Sequence, residues 1–219
     1  MQKIYVVNGQ ARSGKTTLGK IIGDELYERN IPFLHTSSIN PVKQILCAYE
    51  TWPESLKNAG GGVLRILKAK VTDRDWSGKE EDKDEYWRNA MSVLKAEINN
   101  WSPILIHGLV MNQFSDLGKD FVGFVDIREP ENIVSFRDHI LTTQRFVDSV
   151  ETILVTSDGS QRFNNKSDES VNNFQYDIVI ENPRTTFTDD SVALWFLRCR
   201  AKAFVDQEIM EGRKKERFY

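Results

Sequence analysis

Residues 9 to 17 read Gly-Gln-Ala-Arg-Ser-Gly-Lys-Thr-Thr: Gly9, four residues, then Gly14, Lys15 and Thr16. Each of these residue types has a part in gripping a chain of phosphates. Glycines let the backbone curl until several N–H groups face one anion. A lysine brings a mobile positive charge to the outer phosphates, and a threonine hydroxyl can hold magnesium. The apolar run Ile4-Tyr5-Val6-Val7 precedes the loop, and a helical pattern starts near Lys15. A helix beginning there aims the positive end of its dipole at the same anion. The competing reading is an ordinary glycine turn, which the strand-before, helix-after context disfavours. Gly9, Ala11, Arg12, Ser13, Gly14, Lys15, Thr16 and Thr17 are therefore candidate nucleotide-holding residues.

What becomes of a bound phosphate depends on other side chains. Asp126 lies near the end of the apolar run Phe-Val-Gly-Phe-Val-Asp-Ile at 121–127. An acid at a strand end beside such a loop can hold magnesium directly or through water, so Thr16 and Asp126 are the expected metal-side pair. Arg128 could grip an acceptor phosphate with two parallel hydrogen bonds; a plain strand-end ion pair is the alternative. Arg12 sits inside the loop, where a cation has little reason to be unless it faces anions. Lys43 falls one turn into the helix that Pro41 should open, which points it toward the same edge. Arg65 and Arg88 are weaker acceptor-side candidates and read more readily as surface charges. Arg162, in the polar lid-like stretch 157–175, could fold over the phosphates and stabilise charge in transfer, or be a solvated arginine. The expected catalytic set is Lys15, Arg12, Asp126, Arg128 and Arg162.

A second pattern competes. Asn165-Lys166-Ser167-Asp168 matches the guanine-reading tetrapeptide of GTPases, and Asp120-Phe121-Val122-Gly123 imitates their switch aspartate and glycine. The tetrapeptide should directly follow a buried strand, but a polar stretch from Asp158 to Asn164 intervenes. Asp120 enters a strand instead of following one. Both matches read as accidental. His35, His107 and His139 are scattered, with no cysteine or carboxylate at ligand spacing, so zinc is not expected.

These residues need elements to position them. Residues 2–8 read as a buried strand, 15–29 as a helix with Leu18, Ile21, Ile22 and Leu26 on one stripe, and 32–35 as a second strand. A helix runs from Pro41 until Pro53 closes it, and Ala59-Gly60-Gly61-Gly62 reads as a flexible joint. The charged segment 63–100 ends in a helix from Glu85 to Asn99. Residues 102–117 fit strand or helix; Ser102-Pro103, a capping hydroxyl followed by proline at the first helical position, selects helix. Strands are expected at 121–127, 152–155 and 176–180, and helices from about 128 to Thr143 and from Asp190 to Met210. Alternation of strand, loop and helix is the grammar of a parallel sheet covered on both faces. Ligands gather at the carboxyl ends of such strands. The expected fold class is α/β, a three-layer P-loop NTPase fold with a mostly parallel sheet and a helical acceptor-binding insert at 53–118, all within one domain spanning 1–219.

Bulk composition bounds the partners. Hydrophobic residues make up 40% of the chain and charged residues 28%, enough for a sizeable core. A net charge of −3 gives no whole-protein attraction to nucleic acid. Cys47 and Cys199 are far apart and read as thiols in a reducing compartment. No signal-like or membrane-length apolar run is present, and a cytoplasmic location is expected. Oligomeric state is left open, with a homodimer among the options.

Several islands resemble one family. Asn8-Gly9-Gln10-Ala11-Arg12-Ser13-Gly14-Lys15 resembles the Ser-Gly-x-x-Arg-Ser-Gly-Lys loop of bacteriophage deoxynucleoside monophosphate kinases. Asn40-Pro41-Val42-Lys43 resembles the Gly-Pro-Ile-Lys opening of their second helix, and Asp126-Ile127-Arg128 resembles their Asp-Thr-Arg at a strand end. Tyr176 to Asn182 resembles their late strand, whose following loop lies near the adenine in P-loop kinases; Asn182 and Pro183 enter the nucleotide-holding set on that ground. The resemblance implies ATP- and Mg2+-dependent phosphoryl transfer to a small-molecule acceptor, a (deoxy)nucleoside monophosphate, with Lys43 and Arg128 on the acceptor side. A hydroxymethylpyrimidine base in phage DNA, another small metabolite, or a regulatory NTPase with a protein partner are the alternatives; DNA is not favoured and no membrane is involved. Thr16 stands where the phage enzymes have aspartate, which strengthens the metal argument, and 53–100 does not match securely, which leaves the acceptor open.

Overall fold

A computed structural model of the chain describes residues 1–10, 13–51, 85–157, 171–183 and 190–212. They fall into two compact units, one made of Met1–Ser37 with Phe114–Tyr219 and the other of Ser38–Gln113.

In the first unit the strands are β1 (Gln2–Asn8), β2 (Phe33–Ser37), β3 (Phe121–Asp126), β4 (Ser149–Ser157) and β5 (Ile178–Asn182). They form one sheet in the order β2-β3-β1-β4-β5, and every neighbouring pair is parallel. All carboxyl ends therefore share one edge, which carries Asn8, Ser37, Asp126, Ser157 and Asn182. The helices are α1 (Lys15–Glu28), α5 (Pro130–Thr143) and α6 (Asp190–Phe204), the last continuing as a π-helical turn at Val205–Met210.

The strand order dictates where the helices lie. From β1 the chain moves across β3 to reach β2, whereas from β3 it moves across β1 to reach β4. Right-handed crossovers in opposite directions place their helices on opposite faces. Tyr5, Val7, Val122, Phe124, Ile153, Val155 and Ile180 accordingly share one core with Leu18, Ile22 and Leu26 of α1 and Leu197, Ala201 and Phe204 of α6. Strand residues alternate between faces. Ile4, Val6 and Val125 are thus turned to the α5 side, and Ile133, Phe136 and Ile140 of α5 are fully buried. The expected α/β architecture, a parallel sheet covered by helices on both faces, is what the first unit adopts.

The aromatic centre of the α1-side core contains one oddity. Tyr5 meets Phe124 and Phe204 edge-on at centroid distances of 5.6 and 5.1 Å. Its hydroxyl is buried without a hydrogen-bond partner. Burial, with Glu151 and Glu208 adding repulsion, pushes this phenol far above its ordinary range. An unpaired buried hydroxyl costs stability that an apolar isostere does not. Tyr5→Phe is therefore expected to raise the unfolding free energy by about 1 kcal/mol, read as a higher denaturation midpoint at unchanged slope. A lower midpoint would contradict the assignment.

Among the described residues the second unit is helical: α2 (Asn40–Thr51), α3 (Glu85–Trp101) and α4 (Pro103–Asn112) pack together, burying Val42, Met91, Leu94, Ile98, Ile106 and Val110. Lys95 Nζ donates to Ser38 Oγ at 3.2 Å. The helical choice for 102–117 holds for Pro103–Asn112, with one correction. Ser102 is the extended residue before the helix and proline opens it, but the Ser102 hydroxyl makes no capping bond. Its carbonyl instead accepts from Leu105 N at 3.1 Å, a tight first turn that leaves the hydroxyl unused. Among the described residues no helix is long and apolar enough to cross a membrane.

Candidate functional site

Strand order sets the location. α1 leaves β1 toward one side and α5 leaves β3 toward the other, so β1 and β3 flank the point where connections diverge, the crevice where open parallel sheets bind ligands. The glycine loop emerges from β1 at that point and Asp126 ends the adjacent β3, in register with Val7.

Both glycines are required by close approaches. Gly9 has φ +151° and Gly14 φ +97°, backbone that side chains disfavour. A Cβ on Gly9 would strike the Val155 carbonyl oxygen of β4, and one on Gly14 would strike the Asn182 amide. Asn182, buried at the end of β5, donates from Nδ2 to the Ser13 carbonyl at 3.0 Å. The loop is thus held from outside by β4 and β5. Gly14→Ala is expected to cost about 2 kcal/mol of stability; a denaturation curve checks it, and a wild-type midpoint would contradict the account.

Inside the loop, Lys15 Nζ donates to the carbonyls of Gly9 at 2.6 Å and Gln10 at 2.9 Å. The ammonium is therefore folded across the bend. Ser13 is fully buried and its hydroxyl has no hydrogen-bond partner. No side chain caps α1 at Gly14, and the first helical bond runs from Leu18 N to Gly14 O at 2.8 Å. A helix start without a side-chain cap, an orphaned hydroxyl and an ammonium are thus donors within one short segment, a set that suits an anion. Thr16 and Thr17 are exposed on the first turn of α1.

At the neighbouring strand end, His35 Nε2 lies 3.0 Å from Asp126 Oδ1. A carboxylate accepts only, so Nε2 carries the hydrogen. The imidazole is wedged between Phe124, at 6.0 Å edge-on, and Gly19 of α1, where any Cβ would collide with it. Ser37 Oγ reaches the Asp126 carbonyl at 3.4 Å. Asp126 is thus half-buried and oriented, leaving its second oxygen for other work. Arg128 is exposed, two residues beyond. Among the described residues no group of three or more His, Cys, Asp or Glu side chains could hold a metal ion.

A polar chain lies beneath the loop. Asn8 is fully buried; its Oδ1 accepts from Gly9 N at 2.7 Å, and its Nδ2 donates to the Arg128 carbonyl at 3.0 Å and to Tyr176 Oη at 2.6 Å. Tyr176 in turn donates to the Val171 carbonyl at 3.1 Å. Burial pushes the Tyr176 phenol up to about 12, against the opposing effect of the Asn8 bond, so it remains a donor at neutral pH.

The structure therefore brings Gly9, Ser13, Gly14, Lys15, Thr16, Thr17, Asp126, Arg128, Asn182 and the half-buried Pro183 to one edge of one unit. Lys43 lies in the other unit, half-buried in the first turn of α2. Ala11, Arg12, Arg65, Arg162, the glycine-rich joint at 59–62, and most of the polar stretch 157–175 with Asn165 to Asp168 lie outside the described residues, as does the side chain of Arg88. Sequence reasoning misses Asn8 as an anchor, Tyr176, and His35, which in the sequence is one of three scattered histidines. The available signal for His35 and Asn8 is a polar side chain at the carboxyl end of an apolar strand.

No protein-family model and no curated protein matches this chain. Among solved structures, an unliganded sugar kinase from Janibacter sp. HTCC2649 is similar over 94% of this chain and 95% of that one, at 16% identity and a TM-score of 0.37.

Proposed function

We propose that the chain is an ATP- and magnesium-dependent phosphotransferase whose acceptor is a (deoxy)nucleoside monophosphate. The observation that carries this reading is the juxtaposition at the β1–β3 crevice: the loop at 9–16 with the Lys15 ammonium folded across it, beside the oriented Asp126 carboxylate. The residues present fit the group. The Ser13 hydroxyl and the first turn of α1 would donate to phosphate oxygens, and Lys15 would exchange its two loop carbonyls for them. Thr16 and Asp126 would hold magnesium, which takes one or two protein oxygens and completes its shell with phosphate and water. Bound there, the ion would neutralise charge on the outer phosphates. Arg128, exposed at the same edge, would grip the acceptor phosphate. Such a transfer needs groups held in line and charge offset; it needs no nucleophile from the protein.

The nucleotide acceptor rests on the Asp-Ile-Arg and loop resemblances; Lys43, from the Asn40-Pro41-Val42-Lys43 resemblance, and Arg65 and Arg88, on their charge alone, are acceptor-side proposals. Incubating the chain with γ-labelled ATP, a panel of nucleoside monophosphates and DNA decides among acceptors. Label on a nucleoside monophosphate is the expected result. Label on DNA would move the acceptor to a base within the polymer. Hydrolysis without acceptor stimulation, and with GTP preferred, would replace transfer by a switch.

A further inference from the structure

We propose that Asn8 is a positioning residue that ties the donor-phosphate loop to the acceptor-side Arg128; the inference rests on the phosphotransferase reading above. The β1–β3 backbone ladder ends at its carboxyl edge with Val7 paired to Asp126, and Ile127 N still donates to Val7 O at 3.2 Å. Beyond that rung the two strands diverge into their loops. The next rung is made by a side chain: Asn8 Nδ2 donates to the Arg128 carbonyl at 3.0 Å. The same amide, through Oδ1, holds Gly9 N at 2.7 Å. One planar group with few rotatable bonds therefore fixes the first peptide of the phosphate loop relative to the peptide that projects Arg128.

The side chain is locked in turn. Its remaining hydrogen goes to Tyr176 Oη at 2.6 Å, and Tyr176 is anchored on the Val171 carbonyl, so both donors and an acceptor of Asn8 are engaged. Asn8 is fully buried, where an amide bonded on all sides has one low-energy orientation. Arg128 makes its contact with this network through its backbone, which leaves the guanidinium exposed and available. In-line transfer is sensitive to the separation of donor and acceptor groups, and a displacement of about 1 Å can cost about a hundredfold in rate. Asn8 sets that separation without touching either reactant.

The test is a double-mutant cycle on the acceptor KM, with Asn8→Ala, Arg128→Ala and the pair, using the nucleoside monophosphate that takes most label. Asn8→Ala is expected to raise the acceptor KM about tenfold in the native background and less than about twofold when Arg128 is already alanine. Equal factors in both backgrounds would overturn the proposal, because a general loosening of the fold acts regardless of Arg128. Tyr176→Phe, which keeps the ring and removes only the hydroxyl, is expected to give the same pattern with a smaller factor, and it serves if Asn8→Ala does not fold. Should no acceptor take label, the functional reading fails by itself. Amide exchange then decides the tie: Asn8→Ala should accelerate exchange at Gly9 and at residues 127–129 together, and acceleration at only one of them would refute it.

Discussion

Lys15→Ala is expected to lower turnover by about a thousandfold or more while the chain stays folded. Removing one preorganised charge donor from a transfer site costs about a hundred- to a thousandfold, and Lys15 supplies a full charge. Retention of the fold follows from its surroundings. The ammonium donates to the carbonyls of Gly9 and Gln10, which can take water when the side chain is gone, and the residue is only half-buried. The expected change in unfolding free energy is below about 1 kcal/mol. Single-turnover transfer of the ATP γ-phosphoryl and a denaturation curve give both numbers. A rate near that of the native chain would remove Lys15 from the site.

Asp126→Asn is the second large effect. The amide is nearly isosteric, and its oxygen can still accept from His35 Nε2 across the 3.0 Å contact, so the crevice keeps its shape. The negative charge is lost, and with it the proposed grip on magnesium. The expected result is a fall in kcat of about a hundred- to a thousandfold and a magnesium half-saturation point shifted to higher concentration. Asp126→Ala should cost stability as well, because the half-buried His35 would lose its acceptor. A variant carrying asparagine with an unchanged magnesium curve would assign the metal to other residues.

Much of the first unit is legible because its patterns are local. The run before Gly9 reads only as a buried strand, and Leu18, Ile22 and Leu26 recur at helical spacing; β1 and α1 fall where those signals lie. Ser102-Pro103 chooses helix over strand through the proline, although the hydroxyl contributes no cap. Polar strand ends are harder. β2 continues to Ser37, beyond the expected His35, and β4 starts at Ser149 instead of Thr152. Thr152 is fully buried in β4 because its N–H and hydroxyl both donate to Asp177 at 2.8 Å, a compensation that depends on β5 lying alongside.

The loop's identity is carried by spacing alone, whereas its supports are invisible in the sequence. That His35 meets Asp126 depends on β2 pairing with β3, and that Asn182 meets Ser13 depends on β5 ending beside the loop. Strand order is a long-range property, decided by which faces and crossovers fit together, and no window of residues contains it. The glycines illustrate the difference. Their spacing carries the expectation of a phosphate cradle, but the crowding by Val155 and Asn182 that makes them obligatory appears only once β4 and β5 are in place.

The central claim is that the bend at residues 9–16 wraps a polyphosphate with its backbone amides. An equilibrium titration of the chain with magnesium-ATP, followed through the backbone amide signals, addresses it most directly. Saturable shifts concentrated at Gly9, Ser13, Gly14, Lys15 and Thr16, and lost in Lys15→Ala, are the predicted result. Saturation with those amides unmoved, or no saturation at all, would contradict it.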